Sequence, residues 1–347
     1  MFQNSILCTD ERLRFFGRTY WDEETEARYF NWSCSGFAFC FEGTSAEAEL
    51  VTDWKEGDYE SYLLVRVDFD MNASEQILKI DHSCASYSLA KGLKVGRHIV
   101  EIYRITECQY ASVGLRRLLC DGPLFPLPQR PFRPRIEFIG DSITCGFGIL
   151  SSDPQEKFST ALEHGMLTFA ALTAQELNCD FQVFSVSGWA VSQSPFGGCL
   201  PSIYDKVDAF HDKTGQLWDF TEHPVDLVVL GLGTNDRNWM GNHPERLEAF
   251  EEQYSGFLGV LREKYPCASI VCVLGSLVED GHPIFERIQR AIVQRQDARI
   301  SFLAFESAIA ENGEIGCSHP NRIKHRQMAD TLKAKIHREL CEQLLVQ

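Results

Sequence analysis

Apolar and polar residues follow two different rhythms along this chain. From residue 1 to 120 the period is two, the spacing of a half-buried strand. In FAFCFEG, Phe37, Phe39 and Phe41 fall on one side of an extended backbone. In YLLVRVDFD, Leu63, Val65, Val67 and Phe69 alternate with Leu64, Arg66, Asp68 and Asp70. HIVEIYRIT, around Ile99–Ile105, is a further run of β-branched and aromatic residues. Glu42-Gly43-Thr44 and Lys94-Val95-Gly96 supply turns. Many short strands at this spacing predict an antiparallel β-sandwich over 1–120.

After Arg135 the rhythm changes. IEFI, FQVFSV, DLVVLGLG, SIVCVLG and ISFLAF are short and almost continuously apolar, as parallel strands are when both faces are covered. Helical stretches lie between them, near Met166–Leu177, Pro244–Lys264 and Pro283–Gln296. A last helix near Ile323–Leu340 carries Met328, Leu332, Ile336 and Leu340 as a single stripe. Alternating strand and helix predict an α/β domain over 135–347, a three-layer parallel sheet with right-handed crossovers. Between the two textures, Asp121–Pro134 holds five prolines in fourteen residues. Proline fixes φ and removes a donor, so 121–134 reads as a linker and not as helix or central strand.

Composition narrows the classes of partner. The formal net charge is −16 over 347 residues, which opposes nucleic acid and an anionic membrane surface as partners. No run reaches the roughly 18 apolar residues of a membrane-spanning helix. MFQNSILCTDERLRFFG has no basic start and only a short apolar stretch, with acids by Asp10. It therefore does not read as a signal peptide, and the expected location is cytoplasmic. The thirteen cysteines are scattered and none forms a C-x-x-C pair, so neither a disulfide framework nor a zinc site is indicated, and no cofactor is called for. Asn31-Trp32-Ser33 and Asn72-Ala73-Ser74 match the glycosylation sequon, which means little without a secretion signal.

In a parallel sheet, ligands bind beyond the carboxyl ends of the strands. Four segments place polar groups there: GDSITCG, SVSGWAVSQS, GLGTNDRNW and GCSHPNRIKH, the last of which precedes the final helix. Together they supply the parts of an acyl-transfer site. Ser142 is the candidate nucleophile and His319 the base that takes its proton and returns it to a leaving alcohol. The Ser142 N–H, the Gly188 N–H and the Asn235 side-chain amide are three donors for a tetrahedral oxyanion. Each residue alone also has an ordinary structural reading, as loop, turn or cap. Asp141, which satisfies backbone donors, Asp236 and His325 are given to structure. Trp189 and Trp239 directly follow the two oxyanion motifs. They read either as core or as a wall for the acyl methyl or a sugar ring, and Trp239 is the better placed.

Gly-Asp-Ser, then Ser-Gly, then Gly-x-Asn-Asp, then His-Pro before a terminal helix resembles the SGNH (GDSL) hydrolase superfamily, and more closely carbohydrate esterase family 2. IEFIGDSITCGFG, GLGTND and HPNRIKHRQMA look like that family's blocks, and GRHIVEIYRITE like its last segment before the linker. The resemblance implies an N-terminal jelly roll, a C-terminal flavodoxin-like SGNH domain, and removal of O-acetyl groups from sugars or plant polysaccharide fragments. It carries over Ser142, Gly188, Asn235 and His319 as nucleophile, two oxyanion donors and base. It also implies a small acyl pocket and an acetylated oligosaccharide as partner; self-association into a homo-oligomer stays open. One position departs from the pattern. The family usually has an aspartate two or three residues before the histidine, where this chain has Cys317 and Gly316. Glu314 is the nearest acid, so the expectation is a Ser–His dyad, with a backbone carbonyl receiving the Nδ1 proton and Cys317 as a packing residue. Two other functions compete with the deacetylase: a broader acyl-hydrolase (thioesterase or lysophospholipase), and a non-catalytic glycan-binding protein.

Overall fold

The computed structural model describes residues 4–68, 75–129, 132–241 and 243–344, without the side chains of Pro244 and 339–344. Phe69, Asp70, the second sequon and the Leu340 side chain thus lie outside the described residues. The chain divides into two compact units, Met1–Pro131 with Lys206–Leu217, and Phe132–Asp205 with Trp218–Gln347.

The first unit is antiparallel β throughout. One sheet runs Tyr20–Asp22, Ala27–Tyr29, Gly114–Cys120, Ala46–Val51, Cys84–Ala90, with Asn4–Leu7 also on Gly114–Cys120. The other runs Leu124–Phe125, Gly36–Gly43, Gly96–Arg104, Ser61–Val67, Gln76–Ile80, with Arg14–Phe16 also on Gly36–Gly43. Both sheets contribute to one apolar core: Phe37, Phe39, Phe41, Leu63, Val65, Val100 and Ile102 from the second, and Leu50, Leu115 and Leu118 from the first. The period-two pattern is what makes this a sandwich, since each strand offers one face to the core.

Two boundaries read from the sequence shift. Within the proline-rich stretch, Leu124–Phe125 pairs with Phe41 and Cys40. It is an edge strand, a place where flanking prolines leave no ladder bond unmade. Residues 206–217, which fall inside the span read as the α/β domain, belong to the sandwich unit. Polar contacts hold them there. Arg18 donates to Lys206 O at 2.7 Å, the Trp32 indole N–H to Val207 O at 2.7 Å, and Asn31 Nδ2 to Asp208 Oδ2 at 2.7 Å. Asn31 Oδ1 accepts from Val113 N at 2.8 Å. The first sequon is therefore a buried hydrogen-bonding centre, with Asn31 and Ser33 each 1% exposed.

The second unit is α/β. Its strands are Arg135–Gly140, Asp180–Ser185, Leu227–Gly231, Ser269–Leu274 and Ile300–Ala304. All pair in parallel, with the second strand at one edge beside the first, and the third, fourth and fifth following on the first's other side. Helices α1 (Ser142–Cys145), α2 (Phe169–Glu176), α3 (Thr234–Met240), α4 (Pro244–Lys264), α5 (Ile284–Arg295) and α6 (Arg322–Leu344) complete it. α2 packs with α6 and α4 with α5. On α6, Met328, Leu332 and Ile336 are buried as one stripe. The single carboxylate inside the first strand, Glu137, is wholly buried; it accepts from Gln182 Nε2 and the Tyr204 hydroxyl. This strand order reverses direction between the first and third strands, and open parallel sheets bind ligands at such a switch point.

Candidate active site

The first strand ends at Gly140, where an added Cβ would sit 2.0 Å from Thr144 Oγ1. The chain turns at once into α1. Asp141 caps that helix, its carboxylate accepting from Ile143 N at 3.1 Å, and Gly146 closes it in the left-handed region at φ 88°. Ser142 thus occupies the first helical position of a single turn at the switch point. Its main-chain N–H and that of Gly188 take no partner among the described residues. Gly188 follows the second strand with φ 80°, and a Cβ there would meet Phe196 Cβ at 3.1 Å.

Asn235 lies in the first turn of α3, after the third strand, and is 6% exposed. One N–H of its amide goes to Trp189 O at 2.8 Å, which fixes the amide plane. The other reaches Asp141 Oδ2 only at 3.5 Å, at the outer limit of a hydrogen bond, so a better acceptor can claim it. Asp236, beside it, is fully buried and accepts from Val191 N (3.1 Å), Ser192 N (2.8 Å) and Ser192 Oγ (2.6 Å). Sequence reasoning gave Asp236 a structural role; the structure specifies it as the clamp between α3 and the loop that carries Gly188. Burial holds its pKa above the ordinary carboxylate value against those hydrogen bonds.

His319 comes from a two-strand hairpin, Ile315–Gly316 with His319–Pro320. The turn between them is made by Cys317 (φ 48°) and Ser318 (φ 58°), two non-glycine residues in the left-handed region. The hairpin is seated on the 151–156 loop: Cys317 N donates to Asp153 O and Ser318 N to Pro154 O, both at 2.9 Å. Gly316 lies so close that a Cβ would be 2.2 Å from Ser151 O. The result is that His319 Nε2 lies 2.9 Å from Ser142 Oγ, and its Nδ1 3.1 Å from Cys317 O. A carbonyl only accepts, so Nδ1 carries the ring proton and Nε2 presents its lone pair to the serine hydroxyl.

Burial lowers the His319 pKa, partly offset by the bond to Cys317, so the ring is neutral near pH 7 and competent as a base. Phe147 contributes to that burial, 4.5 Å from the imidazole between ring centres and itself stacked on Phe158 at 3.6 Å. Neither phenylalanine was singled out from sequence; Phe147, in the same Gly-rich loop as Ser142, was the available signal. Glu314 is committed elsewhere, to Ile309 N at 2.8 Å and Gln327 Nε2 at 3.0 Å, with Lys324 Nζ at 3.5 Å. His325 accepts from Phe169 N at 3.0 Å and stacks on Phe169, so it serves the start of α2.

Ser142, His319, Gly188 and Asn235 are thus gathered beyond the carboxyl ends of the first, second and third strands. The two tryptophans are partly buried. Trp189 lies against Gly197 and Gly198, where a Cβ would come within 2.6 and 2.9 Å of its indole. Trp239 lies one turn along α3 from Asn235, its ring under the Arg246 guanidinium at 5.1 Å. Chemically, the arrangement offers a hydroxyl already bonded to a neutral imidazole, with N–H donors beside it: the requirements for attack on an ester carbonyl.

Residues 138–313 match the family model of the GDSL-like lipase/acylhydrolase family, and residues 15–128 match that of the carbohydrate esterase 2 N-terminal domain. The chain is 28% identical over 324 residues to the cellulase/esterase CelE of Acetivibrio thermocellus, covering 89% of this chain but 37% of that protein. It is 26% identical over 346 residues to an acetylxylan esterase/glucomannan deacetylase of Cellvibrio japonicus, covering 96% of this chain and 90% of that one. A solved family two carbohydrate esterase from Clostridium thermocellum, in complex with cellohexaose, superposes with a TM-score of 0.84 at 24% identity, over 94% of this chain and 99% of that one.

Proposed function

The chain belongs to the GDSL-like lipase/acylhydrolase family and carries a carbohydrate esterase 2 N-terminal domain, and from that premise we propose that it is a serine esterase removing O-acetyl groups from carbohydrates, xylo-oligosaccharides or related sugars, through a Ser142–His319 dyad. The observation that carries this reading is the pair of bonds on one imidazole, Nε2 to Ser142 Oγ and Nδ1 to Cys317 O.

In the first half-reaction Ser142 Oγ attacks the acetyl carbonyl as His319 Nε2 takes its proton. The oxyanion is held by the Ser142 and Gly188 N–H groups and the Asn235 amide. The protonated imidazole then gives its Nε2 proton to the sugar oxygen, which leaves as an alcohol, and the acetyl group stays on Ser142. Water repeats the sequence, with His319 as base, and frees acetate. Throughout, Nδ1–H donates to the Cys317 carbonyl, whose dipole takes the place of a triad carboxylate in holding the tautomer.

Among the described cysteines there is no disulfide bond, which fits a reducing compartment and the cytoplasmic location expected from the sequence. Imported acetylated oligosaccharides, and not polymer, are then the substrates it would meet.

The test is acetate release from acetylated xylo-, manno- and gluco-oligosaccharides. Ser142→Ala should lower turnover by roughly 10⁴-fold or more. A glycan-binding protein would show no turnover to lose. Rates on octanoate esters equal to those on acetate esters would point instead to a broad acyl-hydrolase.

A further inference from the structure

Hydrogen bonds to the nitrogens of an imidazole are made in the plane of the ring. The two on His319, to Ser142 Oγ and Cys317 O, therefore fix where its nitrogens point and leave its faces unconstrained. Both partners are neutral, so they hold the ring less firmly than a carboxylate would. A base that must meet a hydroxyl within a fraction of an ångström needs a further restraint, and packing against its face is the usual source.

Phe147 makes that face contact, at 4.5 Å between ring centres and tilted by 41°. Its N–H donates to Ser142 O at 3.0 Å, which ties its backbone to the turn of the nucleophile. The bond does not hold the side chain, which is only half-buried. Phe158 lies against that side chain, with ring centres 3.6 Å apart and planes 9° from parallel. It comes at the end of the loop that seats the hairpin of the base through Asp153 O and Pro154 O. The loop is braced within itself: Ser151 N donates to Gly148 O at 2.9 Å, and Ser151 Oγ to the Glu156 carboxylate. One loop thus reaches His319 twice, through the backbone of its hairpin and through a pair of rings.

The rings also keep water from the imidazole, and a ring cut off from water resists becoming a cation. The titratable groups on the elements around it are the Cys317 thiol and Glu314 of its own segment, Asp141 beside Ser142, Asp153 and Glu156 in the loop, and His325 on α6. Burial nevertheless governs the His319 pKa, lowering it against the bond to Cys317 O.

We propose that Phe158 is a positioning residue for the general base: acting through Phe147, it holds an aromatic ring against the imidazole and keeps that side of the dyad dry. Phe158 itself carries no reacting atom. Its place in catalysis rests on the esterase reading, but its hold on the imidazole can be measured without turnover.

The first measurement takes kcat and KM on a soluble acetate ester between about pH 4.5 and 8 for the parent chain, Phe158→Ala and Phe158→Tyr. Phe158→Ala should lose about 10-fold or more in kcat with KM changed less than about threefold. The acid limb of its kcat/KM should move up by about half a pH unit or more, toward the ordinary histidine value near 6.5. Phe158→Tyr keeps the ring, so it should stay within about threefold of the parent in kcat and leave the limb in place. If Phe158→Ala does not fold, Phe158→Leu, which loses the planar face, decides by the same readouts. An unchanged kcat, a loss of kcat with an unmoved limb, or equal losses in the alanine and tyrosine variants would overturn the proposal. The second measurement follows the two-bond proton–nitrogen correlations of full-length protein labelled with ¹⁵N-histidine, with the His319 signals identified by their loss in His319→Gln. The parent should carry its proton on Nδ1 near neutral pH, and Phe158→Ala should raise the midpoint of the His319 titration. A midpoint that Phe158→Ala leaves unmoved refutes the role of Phe158. An absence of ester hydrolysis in the parent chain refutes only the esterase reading.

Discussion

The Nδ1 of His319 faces the carbonyl of Cys317, two residues earlier in the same hairpin, at 3.1 Å. A neutral dipole orients the imidazole where a charged group would also have raised its basicity. With burial acting on the ring and no carboxylate beside it among the described residues, the pKa lies below the ordinary histidine value near 6.5. The acid limb of kcat/KM should therefore have an apparent pKa under about 6.5, because that profile reports the free enzyme's base. Measured between pH 4.5 and 8 on a soluble acetate ester, a limb at or above that value would count against His319 as the unassisted base.

The carbonyl points at the ring because Cys317 and Ser318 are both left-handed. A left-handed conformation costs an L-residue roughly 1–2 kcal/mol, and more for a β-branched one. Ser318→Val should lower the melting temperature by a few degrees and reduce kcat more than it raises KM. Ser318→Gly, which accepts the geometry freely, should keep kcat within about threefold of the parent. Equal kinetics for the valine and glycine variants would show that the turn does not position the base.

Asn235 and its neighbour should separate in their effects. Asn235→Ala removes a donor aimed at developing charge and should cost about 10²–10³ in kcat with KM little changed. Asp236→Asn turns an acceptor into a donor facing Val191 N–H or Ser192 N–H, so it should lower kcat and also destabilise the fold, by about 1–3 kcal/mol. A chemical denaturation curve for each variant distinguishes the two roles.

Acid sensitivity of the second unit should trace to His325. Burial depresses its pKa to about 3, with a smaller contribution from His319. The folded state therefore resists a proton that the unfolded chain accepts near 6.5. Its stabilising effect is complete above that pH and is lost as pH falls toward 3. His325→Gln keeps an acceptor for Phe169 N and should flatten the slope of stability against pH between about 6 and 4. An unchanged slope would assign the sensitivity to other groups.

His211, in the first unit, should behave in the opposite sense. Burial pushes its pKa down, but the bond to Asp53 and the nearby Asp208 charge outweigh this and raise it. Its two nitrogens face Asp53 Oδ2 at 3.0 Å and Cys108 O at 2.8 Å, both acceptors, so the ring is held as the cation. That stabilisation is full below about 6.5 and disappears as pH rises through the folded value. His211→Gln should be less stable than the parent at pH 6 and close to it at high pH, by thermal melts across pH 6–9.

What the chain reveals in one dimension depends on whether neighbours in sequence carry the signal. Phe37, Phe39 and Phe41 declare a core face by spacing alone, and the five parallel strands by being apolar on both sides. Ser142, Gly188, Asn235 and His319 stand out because each follows a strand in a parallel sheet, where polar loops converge. The direction of the Cys317 carbonyl could not be read, since it follows from backbone torsions of two residues that seldom adopt them. Asp236's partners lie more than forty residues away on another loop, and Phe158 acquires its place only by stacking on Phe147. The Gly197-Gly198 pair explains the seat of Trp189, but only once the indole is seen against it. Residues 206–217 carry no composition that sets them apart; their allegiance is written in Arg18, Trp32 and Asn31, nearly two hundred positions earlier.

That last segment has a consequence for the order of events at synthesis. A ribosome emits the amino-terminal strands first, yet Asn31, Trp32 and Arg18 must wait for partners that emerge only after the first two strands of the following unit, Arg135–Gly140 and Asp180–Ser185. The sandwich is complete only when Leu217 has cleared the exit tunnel, so a nascent chain halted at Pro131 should be protease-sensitive in a way that one halted well past Leu217 is not.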